Sequence, residues 1–387
     1  MLRVVRDIRC IAAMDPPPSA SSGFGIGGWG NADSTSAIVP RPDAWLGLVV
    51  RSHLNAVSPH MTRERQWGNA AVVIAVLAML VGLFGAAQPS SASSQMATSP
   101  VVQGLQLEQL PSSVLSQVTA AASNSQAIQG AALLQRSCNP YLTSTDAQHP
   151  EPCWFGDLKA SRTIAIFGDS FVGNWVPALS LSGKALHFKV AVFEFTGCPT
   201  PLVDIGSPVP GFGLNHIHDC TTWHHTMPAA IQVLRPKMVI AASGTLSWGA
   251  AGDPAWILGL GNAFTAMSTP TNSPIRVLMG SSPHLPQPAA SCLAAHLHSV
   301  QRCTYRYSPT GTGKTDLATI MNRDVLAGAQ DHLNVINVVN WMCANDACPM
   351  VIGGNLVYAD EDHTTIKFST SMASALTAQI SSLLQAG

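Results

Sequence analysis

Charge is scarce in this chain, and neither sign prevails. Its 387 residues carry 20 Lys plus Arg against 21 Asp plus Glu. There is thus no basic field to draw in a polyanion, and nucleic acid is not expected as a partner. A complete phosphate loop is also missing. Gly311-Thr312-Gly313-Lys314-Thr315 ends like one, but the leading glycine of the pattern would fall on Ser308. Ser308-Pro309-Thr310 moreover reads as a turn, not as the end of a strand, which argues against a nucleotide. Metal-ligand spacing is the third absence. His216, His218, Asp219, Cys220, His224 and His225 form the densest cluster of ligand-type residues, yet their intervals match no common ligand set. Cys220–Leu234 reads instead as a helix whose exposed face carries the histidines, so no metal and no other cofactor is expected.

What the chain does have is an apolar run ending in a sharp turn: Thr163-Ile164-Ala165-Ile166-Phe167-Gly168-Asp169-Ser170. The run reads as a buried strand, the glycine as the turn, and Phe171–Leu181 as the following helix. Ser170 then sits at a helix N-terminus, where backbone N–H groups stand free to stabilise an oxyanion. A serine hydroxyl is too weakly acidic to attack an ester unaided and needs a base with an orienting partner. Asp360-Glu361-Asp362-His363 offers both. If this segment begins a helical turn, Asp360 and His363 share a face, the carboxylate takes one imidazole nitrogen, and the other is left for Ser170. On that reading Glu361 and Asp362 point elsewhere. Gly-Asp-Ser alone is three common turn residues, and an aspartate near a helix start is often only a cap. The order carries more weight: the serine follows the first strand, and the Asp/His pair precedes the last helix.

At these residues the chain resembles the SGNH (GDSL-type) hydrolases. It is similar in particular to the extracytoplasmic SGNH domain often fused to membrane acyltransferases that O-acetylate envelope polysaccharides. The resemblance runs from about Cys138 to the C-terminus. It rests on Ile166–Ser170, on Thr196-Gly197-Cys198-Pro199, and on Trp341-Met342-Cys343 through Cys348-Pro349 to Tyr358–His363. It implies a catalytic triad of Ser170, Asp360 and His363, with the N–H groups of Ser170 and Gly197 in the oxyanion hole. One block departs from the family pattern. Where a Gly-x-Asn-Asp is normal, this chain has Ser243-Gly244-Thr245-Leu246-Ser247-Trp248. Thr245 or Ser247 replaces the asparagine donor, or both are ordinary turn hydroxyls. A lost donor costs roughly a hundredfold in rate.

Strands and helices alternate through the rest of this region. Apolar runs at Phe188–Phe195, Met238–Ala242, Ile275–Gly280 and Leu333–Val339 are separated by helical segments at Thr221–Leu234, Pro254–Met267 and Thr315–His332, and Thr364–Leu384 closes the chain. This is an α/β pattern, and the resemblance implies a flavodoxin-like three-layer sandwich with a central parallel sheet of about five strands. Ligands are expected at the carboxyl ends of the strands.

The expected organisation is an N-terminal extension over 1–60, an anchor or signal peptide with linker over 61–95, a stalk or helical linker over 96–137, and the hydrolase-like domain over 138–387. The extension is rich in Pro, Ser and Gly and reads as disordered, or as a product of a misplaced start codon with Met61 the true start. Asn69–Ala87 is apolar, uncharged and preceded by Arg63 and Arg65, so it reads as one membrane-spanning helix or a cleaved signal peptide. Either places the domain outside the cytoplasm, anchored or secreted. Val101–Gln135 has helical spacing that suits a membrane-proximal stalk or packing on the domain, and its Ser/Gln-rich character favours a linker.

Eight of nine cysteines follow the apolar stretch, which suits an oxidising compartment. Neighbouring pairs are expected: Cys138 with Cys153, Cys198 with Cys220, Cys292 with Cys303, Cys343 with Cys348. Each short loop so closed is worth roughly 2–4 kcal/mol. Together these readings point to cleavage or transfer of a small O-acyl group, acetyl first, on a cell-envelope carbohydrate or small ester. Transfer would need a separate membrane acyl-donor protein. The rival expectation is a catalytically silent glycan-binding or envelope-organising domain.

Overall fold

The computed structural model describes residues 99–130, 132–134, 144–203, 214–244, 253–310 and 317–386. The N-terminal extension, the apolar stretch Asn69–Ala87, Cys10, Cys138, Thr245, Ser247 and the Gly311–Thr315 loop lie outside them. Among the described residues no helix is long and apolar enough to cross a membrane.

A six-stranded sheet organises the domain, in the order β1-β3-β2-β4-β5-β7. Its strands are β1 (Cys153–Gly156), β2 (Arg162–Gly168), β3 (Phe188–Glu194), β4 (Met238–Ala242), β5 (Ile275–Met279) and β7 (Asn334–Ile336). Five run parallel; β1 pairs antiparallel with β3 at the edge. The central strands β2, β3 and β4 are buried on both faces and read as nearly continuous apolar runs, as sheets covered by helices require. Successive residues of β2 serve opposite faces. Ile164 and Ile166 pack with Trp175, Val176 and Leu179 of α4 (Phe171–Leu186) and with Leu376 and Ile380 of α11 (Ala373–Ala386). Ala165 and Phe167 pack with Trp223 and Met227 of α5 (Leu214–Val233) and with Trp256 and Phe264 of α6 (Asp253–Ala266). Each such large side chain contributes about 1.5–3 kcal/mol when fully buried.

Three expectations change. The edge strand β1 is too short and too mixed in polarity to stand out by pattern. The closing helix starts at Ile366, where the Thr365 side chain caps the Phe368 N–H, and is two helices, α10 (Ile366–Ser371) and α11, parted at Met372. The segment read as a stalk or linker packs on the domain: α1 (Pro100–Leu105) and α2 (Ser112–Asn124) bury Val101, Val114, Val118 and Ala121 in the core shared with α4 and β4. Its apolar positions are few but fall on one face.

The remaining elements are short or peripheral. They are α3 (Ser144–Gln148), α7 (Ala289–Ala295), α8 (Leu317–Asp331), α9 (Val339–Met342) and the two-residue strands β6, β8, β9 and β10 at Tyr305, Ala347, Val351 and Asn355. Cys198–Cys220, Cys292–Cys303 and Cys343–Cys348 are disulfide-bonded. Cys153 is disulfide-bonded as well.

Candidate active site

The carboxyl ends of β2, β3 and β4 converge on the turn at Gly168-Asp169-Ser170. Gly168 has φ +146°, a conformation that side-chain-bearing residues avoid, and a Cβ there would collide with the Ala242 carbonyl. The chain can therefore leave β2 this tightly against β4 only as glycine. Asp169 is buried and spends its carboxylate on the backbone around it. Oδ1 accepts the Phe171 N–H at 2.9 Å, and Oδ2 accepts the Ser243 hydroxyl at 2.7 Å and the Gly244 N–H at 2.9 Å. It thereby locks the loop after β4 to the start of α4 and leaves Ser170 at the N-cap of that helix with no side-chain cap of its own.

Ser170 meets the second segment through its side chain. Its Oγ lies 2.8 Å from His363 Nε2, and His363 Nδ1 lies 2.9 Å from Asp360 Oδ2. Asp360 and His363 are each 19% exposed, open enough for a small substrate while largely desolvated. The spacing of three works differently from the helical turn expected. Asp360 and His363 lie in an irregular loop, where Asp360 Oδ1 accepts the N–H groups of Asp362 at 3.0 Å and His363 at 2.7 Å. The carboxylate organises the loop that presents its partner.

Asp362 does not point elsewhere. Its Oδ1 stands 2.9 Å from His363 Nδ1 and its Oδ2 3.4 Å from His284 Nδ1. Two carboxylates thus face one imidazole nitrogen. Burial opposes charge on His363, but the bonds to Asp360 and Asp362 outweigh it and hold its pKa well above the ordinary value. Burial likewise pushes Asp362 up, while His284 and His363 pull it further down, to a net value below the ordinary carboxylate range. The bond to Asp362 raises His284 in turn.

Two residues outside the expected set fix this loop. Gln129 donates to Asp360 Oδ2 at 2.6 Å from the segment read as a linker. Asn174, one turn into α4 from Ser170, accepts the Thr364 N–H on Oδ1 at 2.8 Å, and its backbone carbonyl accepts the Thr364 hydroxyl at 3.2 Å. The helix carrying the serine therefore also holds the residue after the histidine. An asparagine inside an apolar helical run, four residues after the serine, was the available signal for Asn174; Gln129 had none. Leu285 N–H, from the loop after β5, bonds Glu361 O at 2.8 Å.

Gly197 lies in the loop after β3. Phe195 N–H bonds Gly168 O and Cys198 N–H bonds Phe195 O, each at 2.9 Å. Gly197, at the third position of this turn, has φ +72°, as a type II turn asks of glycine. Neither the Ser170 nor the Gly197 N–H has an acceptor among the described residues. Glu194, at the end of β3, accepts the Thr196 hydroxyl at 3.2 Å, and burial raises its pKa to about 8, so it is mostly neutral near pH 7.

Two groups of ligand-type atoms come together among the described residues: Cys198, Cys220 and His224, and Asp360, Asp362 and His363. In the first, both sulfurs are spent in a disulfide. In the second, a cation would compete with the Nδ1–H of His363. The histidines of α5 do not simply line an exposed face, because His224 is buried and bonds Pro199 O at 2.7 Å.

The model of one protein family, the SGNH domain (fused to AT3 domains), matches residues 137–378. Among solved structures, the periplasmic domain of a lipopolysaccharide acetyltransferase from Salmonella ser. Paratyphi A superposes with a TM-score of 0.51 at 15% identity, over 69% of this chain and 98% of that one. An aryl esterase from M. smegmatis gives 0.38 at 14% identity, over 57% and 99%. A carbohydrate acetylesterase from Sinorhizobium meliloti gives 0.38 at 12%, also over 57% and 99%. No curated protein matches the chain.

Proposed function

The chain belongs to the SGNH domain family, and from that premise we propose that it is an extracytoplasmic serine esterase or O-acyltransferase acting on small O-acyl groups, acetyl first, of a cell-envelope carbohydrate. The observation that carries this reading is the continuous relay Ser170 Oγ–His363 Nε2, His363 Nδ1–Asp360 Oδ2 at 2.8 and 2.9 Å. Ser170 Oγ attacks the ester carbonyl as its proton passes to His363 Nε2. The N–H groups of Ser170 and Gly197 hold the oxyanion, and Asp360 holds the imidazolium. Collapse expels the sugar alkoxide, which takes the proton from Nε2–H and leaves an acyl-Ser170. Water then yields the carboxylic acid; a second sugar hydroxyl yields transfer. Placement outside the cytoplasm is supported by the disulfides, which persist in oxidising compartments, and by the apolar stretch before the domain. The Salmonella domain is named as a periplasmic part of a lipopolysaccharide acetyltransferase, which favours an envelope glycan here. Transfer would draw on a separate membrane acyl donor, and the apolar stretch would anchor the protein or direct its secretion.

A silent glycan-binding domain is the second reading. It is favoured by the block after β4: no asparagine stands there, and the Ser243 hydroxyl and Gly244 N–H are already committed to Asp169. Intact mass after exposure to a fluorophosphonate separates the two. The esterase reading requires one adduct on the wild type and none on Ser170→Ala or His363→Ala. A folded wild type that takes no adduct and releases no acetate from acetylated glycans establishes the silent domain.

A further inference from the structure

Helix α5 grips the Thr196–Pro199 loop at three successive residues. His216, Cys220 and His224 stand four apart and so share one face of the helix. They meet the loop in order. His216 Nε2 donates to Gly197 O at 3.0 Å, Cys220 is disulfide-bonded to Cys198, and His224 Nε2 donates to Pro199 O at 2.7 Å. A carbonyl has no proton to give, so both rings must present Nε2–H. Burial lowers the His224 pKa to about 4, which keeps that ring neutral. His216 is steadied by stacking on Phe195 at 5.0 Å between ring centroids, and Phe195 N–H bonds Gly168 O.

We propose that His216, Cys198–Cys220 and His224 form a three-point clamp that positions the Gly197 N–H toward the oxyanion. This inference rests on the esterase reading and on Gly197 as a donor. The Gly197 peptide lies inside the Phe195–Cys198 turn, one end of which is bonded to the nucleophile turn and the other to α5. The clamp sets how far the donor can drift, and a donor misplaced by an ångström loses most of its preference for the transition state. Ground-state binding depends little on it. His216 and His224 are positioning residues, with no contact to the reacting atoms required.

The test is steady-state hydrolysis of p-nitrophenyl acetate by the oxidised full chain, for His224→Leu, His224→Gln, His216→Leu, His216→Gln and the double Cys198→Ser/Cys220→Ser variant. The assays are run well below each variant's melting temperature. The expected result is a kcat lowered about 10- to 100-fold in the leucine and double-serine variants with KM within about threefold of wild type. Glutamine, which carries a donor where His has Nε2–H, restores most of the rate. His216 is only partly buried, so its pair keeps the test available if changes at His224 or the disulfide prevent folding. The clamp is overturned by leucine variants within twofold of wild type in kcat, or by a loss that glutamine does not restore. A wild type without turnover or fluorophosphonate adduct sinks the esterase reading, and the clamp's role with it; an active wild type with unaffected variants sinks the clamp alone.

Discussion

The two halves of the candidate active site are built by opposite means. Gly168-Asp169-Ser170 is built from one stretch of chain: a strand, a glycine that no other residue replaces, and a helix, closed by an aspartate that bonds Phe171 N–H and ties the turn to the loop after β4. The Asp360–His363 loop has no regular structure and is held from afar by Gln129, Asn174, Leu285 and His284. The nucleophile is placed mainly by backbone geometry and the base by bonds, most of them from side chains, that come from three separate segments. The first should therefore fail through stability and the second through rate.

Asp360→Asn is the widest breach on the base side. The amide keeps much of the shape but cannot stabilise an imidazolium or enforce the Nδ1–H tautomer, so kcat for p-nitrophenyl acetate should fall about 10³–10⁴-fold, with the melting temperature nearly unchanged. A loss under tenfold would mean that Asp362, also 2.9 Å from Nδ1, is the working partner. On the nucleophile side, Gly168→Ala forces a Cβ into the Ala242 carbonyl at φ +146°. Destabilisation upward of about 3 kcal/mol is expected in urea unfolding, from collision and backbone strain together. An alanine variant of near wild-type stability would show that the turn can relax, and the contrast between the halves would weaken.

How much of this is readable in the sequence follows the same division. The strand, turn and helix around Ser170 are adjacent in the chain, so apolar run, glycine and serine can be recognised together. Asp360 and His363 are recognisable by type and interval, yet the interval suggests a helical turn that does not form, because Asp360 itself supplies the bonds that bend the loop. Asp362 is assigned to the wrong side for the same reason. Gln129 is invisible, since a glutamine in a Ser/Gln-rich segment carries no mark of the fold that brings it 231 positions along the chain to Asp360. Burial of α1 and α2 is equally hidden, because it depends on the surface they find and not on their own modest apolar content.

Asn174 joins the halves, so its removal should show both behaviours. In Asn174→Leu the Thr364 N–H, buried and bonded at 2.8 Å, loses its acceptor, which costs about 1–3 kcal/mol. His363 then loses its fixed neighbour, and kcat should drop roughly tenfold beyond any change in KM. Asn174→Asp keeps the acceptor and should recover the rate more than the stability, since a buried carboxylate is costly. Equal loss in both variants, measured by urea midpoint and kcat, would leave Asn174 as packing only.

Asp362→Asn is the mildest change and separates the two carboxylates. In the wild type, kcat/KM should rise with pH as His363 loses its proton, because only the neutral imidazole accepts from Ser170. Both carboxylates hold that pKa up, so removing one lowers it. The rising limb should move to lower pH, raising the rate along that limb, with the plateau at high pH unchanged. Stability moves the other way. His363, raised in the folded state, stabilises below its unfolded pKa and stops doing so as pH climbs through the folded one. Asp362, depressed in the folded state, stabilises above its unfolded pKa and loses this as pH falls. Their attraction is thus greatest between about pH 4 and the raised pKa of His363. The melting temperature of Asp362→Asn should lag the wild type most near pH 5–6 and approach it at alkaline pH. An unmoved rate profile would show that Asp360 alone sets the basicity of His363, and a collapsed plateau would show that both carboxylates are needed to orient the ring.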